Sequence, residues 1–532
     1  MGVSCDSLIA IGGVCMSDRD RLDESLRTIA KGAGIGFVGT AIGLGFGFFT
    51  RIVIARFLGP DEYGLISLGF AALNIAVIIG LSGLRTGIVR YVSYYRGKRD
   101  DARIKGTIIS ALKISLPLSI AVACLLFFSA TWLSIDIFHE PGLIPILQIF
   151  SIAVPFWVLA QIFLPATVGF QDVKYKVYTE DIFHNLFKLV MISIFLYFGF
   201  GVIGATFGWL LSIMAMAVMA FYYLEKKVFP LLNTKIKAVS TMTELLSFSI
   251  PLIFAAAAGL LLGYTDTLML GYFYNADEVG VYNAALPTAG LMRVALGSFG
   301  VIVMPVVTGL YAQKRCPELR NIYFTVTKWI IAIVFPGFLL MLLFAKPIMW
   351  ILFGSDYVAG ATALVILAFG YLVTSVCGTS ERIIIAAGKT RITMWCIFFG
   401  SSANFLLNLY LIPIYGINGA AIATAMSFIL MYLLMLLFTY KLEKMQPFRS
   451  NQLKPVIAAS IACLLVYGIT EYLLAATAFV LVLMFVLFIG LYFVLLLLIK
   501  GFDEDDLMIM RAIEEKTGMR WELARRIVGR FL

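Results

Sequence analysis

The chain has 532 residues, 61% of them hydrophobic and only 14% charged, against roughly a quarter charged in an ordinary soluble domain; this excess of apolar surface excludes a water-soluble globule. The net charge of +10 raises a nucleic-acid partner, but the basic residues sit in short loops between apolar runs, so no basic face is left for one. Seven cysteines with no CxxC pair and only two histidines exclude a disulfide framework and a zinc site, and neither cofactor nor metal is expected.

Residues 1–15 read as an apolar leader without the basic n-region of a secretory signal, which makes Met16 the alternative start. From Asp18 to Lys31, Leu22, Leu26 and Ile29 share one face, which predicts an interfacial helix within a cytoplasmic segment 1–31. Fourteen stretches then reach the ~20 apolar residues that a span needs. The first six are 32–54, 64–84, 107–133, 143–168, 182–198 and 202–224. The next six are 246–272, 281–311, 325–345, 357–386, 391–412 and 416–440, and a last pair covers 454–474 and 476–499. Tight turns at Gly199–Gly201 and Pro413–Gly416 divide the longest runs. The expected organisation is an N-lobe over 32–224, a cytoplasmic linker over 225–245, a C-lobe over 246–440, spans 13 and 14 over 454–499 and a cytoplasmic tail over 500–532. In that tail Trp521, Ala524, Ile527, Val528 and Phe531 alternate with arginines, as in a helix resting on anionic headgroups or in a solvated one.

Two independent signals agree with this count. With the N-terminus inside, 36 of the 41 Lys and Arg residues fall on the cytoplasmic side, the other five being Arg51, Arg56, Lys188, Arg293 and Lys346. Leu58-Gly-Pro-Asp-Glu-Tyr-Gly64 recurs as Tyr274-Asn-Ala-Asp-Glu-Val-Gly280 at an offset of 216, and Gly201-Val-Ile-Gly-Ala205 recurs as Gly416-Ile-Asn-Gly-Ala420 at 215. A six-span unit is therefore duplicated, with both copies entering from one side and related by an axis along the membrane normal.

Charge within the membrane is costly and marks candidate sites. Arg293 lies roughly 18 Å from the outer start of span 8, beyond snorkelling reach; it either meets an anionic group in a cavity or pairs with Asp266 of span 7. Asp181, His184 and Lys188 fall at i, i+3 and i+7 of span 5, a stripe that binds a headgroup, relays protons or reaches the interface. Arg51 and Arg56 close span 1, the second as a surface anchor, and Glu381-Arg382 read as a solvated pair. Gly34-Ile-Gly-Phe-Val-Gly39 spells GxGxxG, but it sits in an apolar span with no strand before it, so it serves helix packing rather than a pyrophosphate. Eight prolines within spans 3, 4, 7, 8 and 9 permit bending. There is no Walker A sequence and no outer loop long enough for a catalytic domain, which argues against an enzyme. A glycosyltransferase metal site at Asp61-Glu62 is disfavoured because the pair recurs at Asp277-Glu278.

The segments Arg51-Ile-Val-Ile-Ala-Arg-Phe-Leu-Gly-Pro-Asp-Glu-Tyr-Gly64 and Tyr415-Gly-Ile-Asn-Gly-Ala-Ala-Ile-Ala-Thr424 resemble the polysaccharide transporter and O-antigen flippase family of the MOP exporter superfamily. The resemblance implies an all-α, V-shaped pair of six-helix lobes with two added helices, alternating access around a central cationic cavity, and a polyprenyl phosphate- or diphosphate-linked oligosaccharide as substrate. Related flippases hold the substrate diphosphate with cations on the early spans of each lobe, and the resemblance implies that role for Arg293 on span 8, which fits the location better, and for Arg51 on span 1. Multidrug antiporters of the superfamily often carry a carboxylate in span 1, and this chain has none there. The expected partners are the lipid-linked oligosaccharide and membrane lipids, with the protein a monomer in the cell membrane and both termini cytoplasmic; a cation-coupled multidrug exporter on the same fold is the alternative.

Overall fold

Glycine decides where the longest helices fold back. In the computed structural model, which describes residues 18–233, 235–473 and 478–503, every regular element among the described residues is helical. The first, α1 (Asp18–Leu81), holds 64 residues and would be roughly 96 Å long if straight, about three times the hydrocarbon thickness of a bilayer. It breaks at Gly59, whose φ of 80° and ψ of 176° suit only glycine. Packing confirms the reversal: Gly39 meets Val177 and Gly47 meets Asn185, whereas past the turn Gly69 meets Ile146 and Gly80 meets Val158. Spans 1 and 5 therefore rise together while spans 2 and 4 descend.

A left-handed corner at Ser82 and Gly83 leads into α2 (Leu84–Gly97), followed by α3 (Asp101–Trp132) and α4 (Leu143–Gly169). Span 5 is composite: α5 (Val173–Lys176), a π-helical stretch Val177–Phe183, and α6 (His184–Tyr197). Gly199 and Gly201, both with positive φ, turn the chain into α7 (Gly201–Tyr223). The second half runs through α8 (Met242–Phe273), α9 (Ala276–Gly290), α10 (Arg293–Ala312), α11 (Cys316–Leu343), a short α12 (Ala345–Leu352), α13 (Ala361–Cys377), α14 (Thr379–Ala386) and α15 (Thr390–Glu443). α15 reverses at Gly416, φ 53° and ψ −129°, as α1 does at Gly59. Last come α16 (Leu453–Leu473) and α17 (Ala478–Leu498). Each of the fourteen expected stretches is thus mainly helical over its described residues, and eight helical stretches among the described residues are long and apolar enough to cross a membrane.

Four local features depart from the expectation. The helix from Asp18 is continuous with span 1 rather than a separate element lying on the surface. Span 8 is interrupted at Leu291–Met292 and span 10 at Gly378, and α12 has no counterpart in the sequence reading. Residues 1–17 and the amphipathic part of the tail, 504–532, lie outside the described residues.

The duplicated motifs explain themselves once folded. Glu62 of the first copy reaches the start of α7 beside Gly201, and Tyr274 of the second packs on Gly416, its hydroxyl donating to the Pro413 carbonyl at 3.4 Å. The two copies also meet each other. A methyl group on Gly64 would stand 1.7 Å from the Ala276 carbonyl oxygen, and one on Gly280 would stand 1.9 Å from that of Pro60. Across this seam Tyr63 Oη donates to the Asn283 carbonyl at 3.2 Å and Tyr357 Oη to that of Ala55 at 3.1 Å. The Ala276 N–H donates to Glu140 at 2.9 Å. Carboxylates gather at this end of the bundle, while the opposite end carries the basic loops. The halves touch there too, where Gly83 abuts Ser249 and Tyr95 donates to Glu244.

α16 and α17 stand apart from the duplicated core. They form a core of their own with Phe344, built from Ala462, Cys463, Val466, Met484 and Phe488, and so attach to the second half through α11. An apolar cleft of about 390 Å³ at this junction is lined by Met341, Phe344, Ile348 and Val466 and by no charged residue.

Candidate functional site

Three polar centres interrupt the apolar interior, and each is assembled from residues far apart in the sequence. The first surrounds Asp266 of α8, which is 4% exposed. Its Oδ1 accepts from Asn404 Nδ2 at 3.2 Å and Asn408 Nδ2 at 2.5 Å. Its Oδ2 accepts from Tyr282 Oη at 2.6 Å and from the Thr424 hydroxyl. Asn404 and Asn408 are one turn apart on α15, and Thr424 returns to them only because the helix doubles back at Gly416. Every hydrogen-bond partner of Asp266 among the described residues is neutral, so the carboxyl is not paired with Arg293. Asn408 Oδ1 is buried with no hydrogen-bond partner, and a buried acceptor left unpaired is costly. Turning either amide about its axis presents further oxygens, giving one carboxylate with amide and hydroxyl oxygens. That all-oxygen donor set, with a single carboxyl, suits a proton or a hard monovalent cation.

The second centre lies in the first half and is cationic. Arg51 of span 1 is within electrostatic reach of Lys188 and of the Tyr63 and Tyr264 hydroxyls. Lys188, 8% exposed, donates to Asn185 Oδ1 at 2.9 Å and stands 5.1 Å over the Trp209 ring. His184 is buried beside it, its Nδ1 3.3 Å from the Ser212 carbonyl. Two basic side chains share this pocket, and among the described residues their hydrogen-bond and ring partners are neutral, an arrangement that favours an incoming anion.

The third is Arg293, the first residue of α10 and exposed. The break at Leu291–Met292 places its guanidinium 5.8 Å from the Tyr371 ring centre and 5.9 Å from that of Phe428, a cation–π seat that orients it without neutralising it. Tyr432, one turn beyond Phe428, senses Arg293, Glu381 and Arg382 together. Arg382 is half-buried against Gly300, two turns along α10 from Arg293, with its Nε unpartnered. It is therefore not the solvated surface group that the sequence suggested.

The other sequence candidates lie elsewhere. The π-helical stretch ends at Phe183, so Asp181 is rotated off the face shared by His184 and Lys188. It joins Lys176 at 3.4 Å in a network with Glu180 and Arg85 at the basic end. Arg56 donates to the Leu352 carbonyl at 2.9 Å and to those of Trp350 and Ile351, which makes it a fastener of the seam. Tyr282, Asn404, Asn408 and Thr424 were missed. Two asparagines spaced i, i+4 inside an apolar run were the available signal.

The family model described as "Polysaccharide biosynthesis protein" matches residues 29–311, more than half of the chain. The chain belongs to the polysaccharide biosynthesis protein family. A second family model, MatE, matches residues 251–410, and both place this polysaccharide biosynthesis protein in the MOP superfamily of membrane transporters. It is 25% identical over 412 residues to the uncharacterized membrane protein MJ1068 of Methanocaldococcus jannaschii, covering 75% of this chain and 81% of that one. It is 25% identical over 185 residues to the probable low-salt glycan biosynthesis flippase Agl15 of Haloferax volcanii, covering 35% of this chain and 39% of that one. Its fold matches the inward closed conformation of the lipid II flippase MurJ with a TM-score of 0.69 at 18% identity, over 86% of this chain and 97% of that one.

Proposed function

We propose that this transporter is a flippase that moves a polyprenyl phosphate- or diphosphate-linked oligosaccharide between leaflets by alternating access, with the basic end of the bundle in the cytoplasm. The observation that carries the reading is the set of basic side chains within the spans whose partners among the described residues are neutral: Arg51 with Lys188 in the first half and Arg293 on its aromatic seat in the second. A phosphate headgroup crossing hydrocarbon unaided meets a barrier of many kcal/mol, and fixed cations of the opposite sign lower it. Arg382, nearer the basic end, adds an entry station on the way to Arg293. The saccharide crosses between the lobes while the polyprenyl chain stays in lipid. The flippase names of Agl15 and MurJ support the substrate class. The Asp266 centre supplies the coupling site for a proton or monovalent cation.

The test is a proteoliposome assay of lipid-linked oligosaccharide translocation. Arg293→Ala is expected to abolish it, and Arg51→Ala with Lys188→Met to reduce it strongly, while expression and melting temperature stay near those of the unmutated protein. Full translocation by Arg293→Ala removes this assignment. Ion-driven efflux of drugs that is indifferent to lipid-linked glycans would instead support a multidrug exporter.

A further inference from the structure

The contact between the two repeats sets like charge against like charge. Asp61 and Asp277 hold equivalent positions in the two copies, and the packing of Gly64 on Gly280 brings them into electrostatic reach of one another. Asp356, from the turn after α12, faces Asp277 as a third carboxylate. The remaining groups around Asp277 do not cancel them. Glu278 on its own helix is acidic, and Glu62 beside Asp61 is directed at the Val202 N–H. Glu140 accepts from the Ala276 N–H, and Tyr357 lies against Asp277 and Asp356. Arg56 directs its guanidinium to the carbonyls of residues 350–352. The seam is therefore drawn together by hydrogen bonds and close glycine packing and pushed apart by charge.

We propose that this acidic seam is an electrostatic spring: repulsion across it between Asp61 and Asp277, the latter flanked by Asp356 of its own half, opposes closure of the acid-bearing end, so that acid or salt on that side favours the closed form. The inference rests on the alternating-access reading and adds to it a device that sets the resting balance. Burial in the seam, then Asp61 and Asp356, holds the Asp277 carboxyl above its ordinary value. Separating the halves removes the Asp61 charge and the burial made by the facing half, while Asp356 stays beside Asp277, so the closed form binds the proton more tightly than the open one. The sign follows: repulsion acts fully above the raised closed-state value and fades as pH falls through it.

The experiment uses the full chain, with native cysteines replaced and spin labels at positions 197 and 410, where Tyr197 and Tyr410 are 83% and 69% exposed near the acid-bearing end. In lipid nanodiscs the distance distribution reports closed and open populations. Asp61→Asn is expected to raise the closed-to-open ratio roughly two- to fivefold, and lowering pH or adding salt to raise it in the unmutated chain but much less in Asp61→Asn/Asp277→Asn. Asp61→Lys should close the seam further and Asp61→Lys/Asp277→Lys should reopen it, a reversal that a purely structural role would not produce. Equal distributions in all four variants, or a double lysine variant as closed as the single one, overturn the spring and leave the flippase reading intact. A single population in every condition, salt titration of the unmutated chain included, overturns both.

Discussion

Alanine at Gly64 should jam the seam, and the structure gives the size of the effect. Its methyl group would lie 1.7 Å from the Ala276 carbonyl oxygen, where ordinary contact begins at 3.4 Å, so the two halves must separate by more than about 1.5 Å. Backbone faces backbone, and no side chain can turn aside to relieve it. That displacement stretches the bonds from Tyr63 to Asn283, Tyr357 to Ala55, Ala276 to Glu140 and Arg56 to Leu352, now 2.9–3.2 Å long, beyond hydrogen-bonding range. At about 0.5–1.5 kcal/mol net for each, closure loses at least about 2 kcal/mol, which shifts the closed-to-open ratio by roughly thirtyfold or more. Gly280→Ala, with its methyl 1.9 Å from Pro60, should do the same. Gly45→Ala, with open space around it, serves as the control. Spin-label distances across the seam are the readout, alongside translocation in proteoliposomes. If Gly64→Ala and Gly280→Ala keep the distance distribution and transport rate of the Gly45→Ala control, the seam is not a moving contact and the reasoning fails.

Asp266→Asn turns an amide toward donors that now meet a carboxylate, which should cost about 1–3 kcal/mol and lower the melting temperature. The sharper sign is that the sodium or proton dependence of the melting temperature expected of the unmutated protein should be absent from the variant; no such dependence in the unmutated protein, or an equal one in the variant, contradicts the coupling role. At the basic end, Lys328 donates to Asp503 at 2.9 Å and Asn451 to the same oxygen at 3.1 Å, fixing the chain after α17 to α11. Burial opposes ionisation of Asp503, but the bond and charge of Lys328, with Asn451 and Lys454, outweigh it and hold the carboxyl below its ordinary value. This contribution is present above the unfolded value and lost as pH falls through the folded one. Protease release of the tail should therefore rise in acid, and Asp503→Asn should release it at neutral pH as well. Equal cleavage of variant and parent would show that the latch does not hold the tail.

The spans, the reversals at Gly199–Gly201 and Gly416, and the duplication were all legible because each rests on a local signal: the length of an apolar run, a glycine, or a repeated string. Arg293 was legible for the same reason, as a charge too deep in an apolar run to reach water. Its surroundings were not. The pairing with Asp266 offered as an alternative gives way to neutral donors because the reversal at Gly416 carries Thr424 to Asn404 and Asn408, a tertiary event. Asp181 was placed on the face of Lys188 by assuming 3.6 residues per turn throughout, and the π-helical stretch Val177–Phe183 breaks that phase. Arg382 was misjudged because depth was counted along span 10, while Gly300 on a different helix makes the recess that half-buries it.

The duplication has a consequence for how such a protein acquires polarity. Two identical subunits meeting about a twofold axis must present the same residue at both ends of every contact. Joined in one polypeptide, the copies are free to differ, and they have done so at matching depths. Trp209, under the Lys188 ammonium, stands where the other copy has Thr424, which donates to the Asp266 carboxylate, and Asp266 itself stands where the first copy has Thr50. One ancestral scaffold thus offers a basic chamber and an acidic one side by side, a division of labour that no symmetric pair of subunits can evolve by substitution.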